Sequence, residues 1–137
     1  MTLRERPWNR RKGVFTTLTT TLLVGIGGGL GAMLRYLIEL LPFHTAFPMA
    51  TFLINLGGSF IMGCFVGAVE RNMASERTMT VLRVGFCGGF TTLSTFGVET
   101  ITLFENDRHM IAYAYMLATF AACFLGIWAG RMIVRHV

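Results

Sequence analysis

Hydrophobic residues make up 53% of the 137-residue chain and charged ones only 14%, with a mean hydropathy of +0.59 and a net charge of +5. Soluble domains carry about 25% charged residues. This composition therefore excludes an ordinary water-soluble globule and points to lipid.

The chain opens on a basic segment, RERPWNRRKGVF, expected to be a cytoplasmic tail over residues 1–13. A basic start followed by an apolar run also fits a signal peptide. The apolar run is too long for one, and no small-residue cleavage site closes it, so the first helix is expected to be retained. The membrane domain is expected over 14–137, with helices at about 14–41, 46–69, 79–104 and 110–134. Stretches Val14–Leu34, Ala46–Val69 and Met110–Gly130 are almost free of charge, and Val84–Phe104 has only Glu99. A helix needs about 20 apolar residues to cross roughly 30 Å of hydrocarbon. The reading is an all-α integral membrane protein of four short-looped spans, with no room for a soluble catalytic domain.

Every span carries small residues four apart. The first has Gly25 with Gly29 and Gly27 with Gly31; the second has Ser59, Gly63 and Gly67. The third has Gly85 and Gly89, and the fourth Ala118, Ala122, Gly126 and Gly130. Such spacing lets helix backbones approach closely in lipid. Arg35, at the end of the first span, is expected to contact Glu99 or Glu39. On the second span, Asn55 continues the face of Ser59, Gly63 and Gly67. An amide at that depth requires a partner: either an interhelical hydrogen bond or a place on an ion pathway.

The third span holds GGFTTLSTF, Gly88 to Phe96, with hydroxyls at Thr91, Thr92, Ser94 and Thr95. Two adjacent glycines weaken a helix, and β-branched threonines do not restore it. A break is expected there. Freed carbonyls can coordinate a hard cation, while hydroxyls can serve an ion or its water. The alternative is a regular helix whose hydroxyls bond back to their own carbonyls. Phenylalanine edges are electropositive, and Phe96 lies beside the hydroxyl run. Cys64, Cys87 and Cys123 lie one per span, without CxxC spacing, and read as packing residues rather than metal ligands.

Ten of the twelve Lys and Arg residues fall in the N-terminal segment, the loop after the second span and the C-terminus. With four spans those regions share a side, which the positive-inside rule places in the cytoplasm. The basic loops account for a pI near 9.7 without any nucleic-acid partner.

GFCGGFTTLSTFGVE closely resembles the signature of the Fluc (CrcB-like) fluoride channel family, and GGGLGAMLRY and NLGGSFIMG resemble its other marked segments. The order, spacing and four-helix length agree over nearly the whole chain after the tail. The resemblance implies antiparallel dimers with two fluoride pathways, a third helix broken at mid-membrane, and a structural Na+ ion on the dimer axis. By motif position, the sodium-binding carbonyls are those of Gly88 and Thr91. Asn55 is expected on the fluoride pathway, with Thr92, Ser94, Thr95 and Phe96; Arg35 and Glu99 are expected as structural polar residues. The chain departs from the family's TTFSTF, with Leu93 at the first phenylalanine and Phe96 at the second. A leucine lacks the positive ring edge, so a weaker anion contact is expected there.

The function implied is passive fluoride export across the cell (plasma) membrane, with fluoride and membrane lipid as partners. No GxxxxGK[ST] motif for ATP occurs. The loop-charge bias opposes insertion in both orientations, so two assemblies stay open: an antiparallel homodimer, or a heterodimer with an oppositely oriented paralogue. Two other functions are weighed. A proton-coupled small multidrug-type exporter needs an embedded carboxylate, and Glu99 is expected near a helix end. A non-transporting membrane subunit explains the glycine stripes but not Asn55 and the polar run.

Overall fold

The structure, a computed structural model, describes residues 7–136. Arg4 and Arg6 of the basic segment lie outside the described residues. Helix α1 runs Pro7–Glu39, so residues 7–13 continue the first helix rather than forming a separate tail. Proline suits a first turn because it has no N–H for the helix to leave unpaired. Helix α2 runs Met49–Glu70 and helix α6 His109–His136. Between them the third span is composite: α3 (Glu76–Thr80), a π-helical stretch (Val81–Cys87), α4 (Gly88–Phe90) and α5 (Leu93–Glu105). Four stretches are long and apolar enough to cross a membrane: Phe15–Glu39, Met49–Glu70, Glu76–Glu105 and His109–His136. The chain is a multi-pass, all-helical membrane protein. Its periphery carries many large apolar side chains, with Leu22, Leu117, Phe124 and Trp128 largely exposed for lipid.

Local chemistry sets the helix ends. Asn72 and Asp107 take left-handed φ values of 52° and 57° just past α2 and α5, a conformation these two residue types tolerate better than most. Ser75 caps α3 by accepting from the Thr78 N–H. The threonine run of α1 donates back to its own helix, for example Thr17 to the Gly13 carbonyl and Thr20 to Thr16. Those hydroxyls are thereby satisfied in lipid.

The spans pack as two tight pairs, α1 against the first half of the third span and α2 against α6. Glycine makes both possible. A methyl on Gly31 would fall on the Phe86 carbonyl oxygen, and one on Gly89 on the Gly28 carbonyl oxygen. In the other pair, a methyl on Gly63 would strike the Ile127 backbone and one on Gly130 the Phe60 carbonyl. Gly25 and Gly29 meet nothing within 4 Å. Only one of the two stripes expected on α1 is used inside the protomer. A compact aromatic cluster of Phe96, Tyr115, Phe47 and Phe52 with Leu103 and Ala112 closes the α2–α5–α6 corner.

Candidate functional site

The third span breaks at Thr91 and Thr92, not at the glycines. Gly88 keeps helical angles (φ −63°, ψ −36°), whereas Thr91 (ψ 154°) and Thr92 (φ −144°, ψ 111°) are extended. Gly89 is there for close approach to α1. The break is held from outside by Asn55 of α2. Its Oδ1 accepts from the Thr92 N–H at 2.9 Å, and its Nδ2 donates to the Thr92 carbonyl at 3.1 Å. This amide does what a β-strand neighbour would do for one residue, and it does so at 7% exposure.

Two carbonyls are released as a result. In a continuous helix the Thr92 N–H would bond the Gly88 carbonyl, but Asn55 takes it. The Thr95 N–H would bond the Thr91 carbonyl, but the Thr92 hydroxyl takes it at 3.2 Å, capping α5. Gly88 and Thr91 are the residues matched by motif to the cation ligands. The break frees their oxygens, a hard donor set that suits Na+. Among the described residues no group of three or more His, Cys, Asp or Glu side chains could hold a metal.

A groove of about 390 Å³ opens beside the break between α2, α5 and α6. Asn55, Thr91 and Phe96 line it, together with Ser59 and Leu93. Thr92, Ser94 and Thr95 stand beside it instead. The Thr92 hydroxyl donates to the Thr95 Oγ1 at 2.9 Å and lies 3.3 Å from the Ser94 Oγ. The Thr91 hydroxyl donates back to the Cys87 carbonyl at 2.9 Å. The hydroxyl run expected to face an ion is thus largely engaged in shaping the break. Phe96 is buried, tilted against Tyr115 and edge-on to Phe120. Leu93 is 74% exposed at the head of α5.

The expected Arg35 contact is not formed. Among the described residues no ion pair joins Arg35 to Glu39 or Glu99, and the buried Arg35 Nε has no hydrogen-bond partner. Glu99 faces the other way, towards α2 and α6. Thr51 donates to its Oε1 at 2.9 Å and Tyr115 to its Oε2 at 2.7 Å. Helix α1 packs on the first half of the third span, so its end does not reach this carboxylate.

A model of the CrcB-like protein family (Camphor Resistance, CrcB) matches residues 22–131. The chain belongs to the CrcB-like family. It is 43% identical over 112 residues to Fluoride-specific ion channel FluC 2 of Rhodococcus jostii (strain RHA1), covering 81% of this chain and 95% of that protein. It is 39% identical over 116 residues to Fluoride-specific ion channel FluC of Gloeothece citriformis (strain PCC 7424), covering 78% and 93%. The FluC of Pyrococcus abyssi (strain GE5 / Orsay) is 41% identical over 120 residues, covering 83% and 98%.

Two features of this CrcB-like chain escape sequence reasoning. One is the hydroxyl–carboxylate cluster of Thr51, Glu99 and Tyr115, assembled from three helices. The other is Thr119 on α6, which lines the groove at 6% exposure with its Oγ1 unpartnered. A single threonine in an apolar helix carries no signal by itself. Its spacing of four from both Tyr115 and Cys123, which puts all three on one face, is the only clue.

Proposed function

We propose that this CrcB-like chain is a fluoride-selective channel that lowers cytoplasmic fluoride by passive export. The observation that carries the reading is the Asn55-held break beside a groove that, among the described residues, has no charged lining, in a chain whose relatives are named fluoride-specific channels. A small anion gives up its water only where protein groups replace it. The groove offers neutral donors for this purpose. Asn55 has a second amide hydrogen beyond the one given to Thr92, and Thr119 has an unpartnered hydroxyl. Phe96 and Phe120 add ring edges, electropositive at their hydrogens. Among the described residues no lysine or arginine lines the groove to trap the ion.

Gly88 and Thr91 are the carbonyls that would hold the structural sodium ion of an antiparallel dimer. The two released carbonyl oxygens would hold it, and it would supply the positive charge that their dipoles call for. Both termini are assigned to the cytoplasm and the protein to the cell membrane, on the loop charges. That bias favours a heterodimer with an oppositely oriented paralogue over a homodimer. Glu99 is an embedded acid of the kind a proton-coupled exporter needs, but both its oxygens already accept hydroxyl donors.

Proteoliposomes loaded with fluoride or chloride test the reading, with efflux followed by ion-selective electrodes. Fluoride efflux without chloride efflux is expected. Fluoride efflux that appears only after co-reconstitution with an oppositely oriented relative selects the heterodimer. Equal efflux of both ions, or none in either preparation, overturns the channel.

A further inference from the structure

The three cysteines are not equivalent. Cys87 is 1% exposed in the π-helical stretch, and Cys64 packs beside Gly130 at the α2–α6 contact. Cys123 alone of the three is in the wall of the groove. Its Sγ lies 3.7 Å from the Asn55 carbonyl, a weak S–H contact. Met62, on the facing helix α2, lines the same groove. One turn before Cys123, Thr119 presents its buried and unpartnered hydroxyl oxygen, an arrangement that buried polar atoms rarely keep without a ligand or water. Among the described residues, a thiol and a thioether therefore line one cavity together with Thr119, and no carboxylate or imidazole lines it.

We propose that this groove is also a binding site for a soft monovalent cation of the Ag+ or Cu+ class, held by Cys123 and Met62, which plugs the groove when bound. Sulfur donors select such ions, whereas Mg2+ and Ca2+ require several oxygen ligands. The Cys123 S–H loses its proton to the buffer as the sulfur–metal bond forms, and no electron is transferred. The Met62 thioether and the Thr119 oxygen donate lone pairs only. Block of conduction rests on the channel reading above; the binding itself does not.

Ag+ is a practical probe because silver fluoride stays in solution in chloride-free nitrate buffer. In the purified full-length chain, Ag+ is titrated against maleimide labelling of each cysteine, read by peptide mass spectrometry. Cys123 is expected to be protected at lower Ag+ than Cys64, and Met62→Leu should raise the Ag+ needed at Cys123 by roughly tenfold or more, since even loss of an outer-shell partner costs a metal site about that much. Equal protection of Cys64 and Cys123 in the parent, or no effect of Met62→Leu, overturns the site. In proteoliposomes, the fraction of fluoride efflux blocked by Ag+ and restored by dithiothreitol should fall sharply in Cys123→Ser and persist in Cys64→Ser. Undiminished block in Cys123→Ser overturns the plug. Absence of fluoride efflux from the parent both alone and after co-reconstitution with an oppositely oriented relative would overturn the channel reading while leaving the protection result to decide the metal site.

Discussion

Asn55 is the residue on which the site turns, because its partner is backbone rather than side chain. Asn55→Leu, which keeps the approximate shape, leaves the Thr92 N–H and carbonyl unpaired in a buried place. Each such group costs about 1–3 kcal/mol. A lower midpoint of thermal unfolding in detergent and loss of fluoride efflux are expected; an unchanged melting midpoint would contradict the structural role. The two ring positions make a second residue-scale prediction. Leu93→Phe should keep or raise fluoride efflux, since the side chain projects freely at the groove. Phe96→Ile should lower it; a lost ring-edge contact worth about 1 kcal/mol corresponds to roughly fivefold in rate. Equal efflux in Phe96→Ile and its parent would rule out a ring-edge role.

At the level of helices, close packing separates glycines that look alike in sequence. Gly89→Ala drives a methyl into the Gly28 backbone, and overpacking of this kind costs about 1–3 kcal/mol. Gly25→Ala meets open space and replaces a poor helix former, a gain of roughly 0.8–1 kcal/mol in a helix interior. Melting of the two variants should therefore shift in opposite directions. The periodicity that marks four spans is plain in the sequence, since burial in lipid depends on apolar length alone. Which glycine stripe faces a neighbour is not, because Gly25/Gly29 and Gly27/Gly31 satisfy the same spacing rule. The position of the break is hidden for a related reason. The pair Gly88–Gly89 has the weaker local helix propensity, yet the amide that decides the matter comes from a helix 37 residues away. Glu99 looks free to meet Arg35 along the chain, and only the three-dimensional pairing of spans assigns it to Thr51 and Tyr115.

For the whole molecule, ten of twelve cationic side chains fall on one side of a four-span chain. Part of that charge is internally matched: Glu70 at the end of α2 pairs with Arg131 and Arg135 at the end of α6, and Arg71 donates to the Val134 carbonyl. These contacts staple one end of the α2–α6 pair. Exposed pairs of this kind contribute little to stability, about 0–1 kcal/mol, so the bias acts on orientation. Tags at the two termini, probed with a membrane-impermeant protease from each side, should be reached only from the cytoplasmic face. Equal access from both faces would show dual insertion and restore the homodimer.

The two-way bond from Asn55 to Thr92 also constrains how the protein is made. Alone in the bilayer, the third span must enter as one continuous helix, because an extended Thr91–Thr92 there would bare backbone groups to hydrocarbon. Only when the third span docks on α2 can the Asn55 amide take over those groups. The break is thus a late event of assembly, written into the contact between two spans, and a chain halted before that contact forms carries an unbroken third helix with the Gly88 and Thr91 carbonyls still engaged.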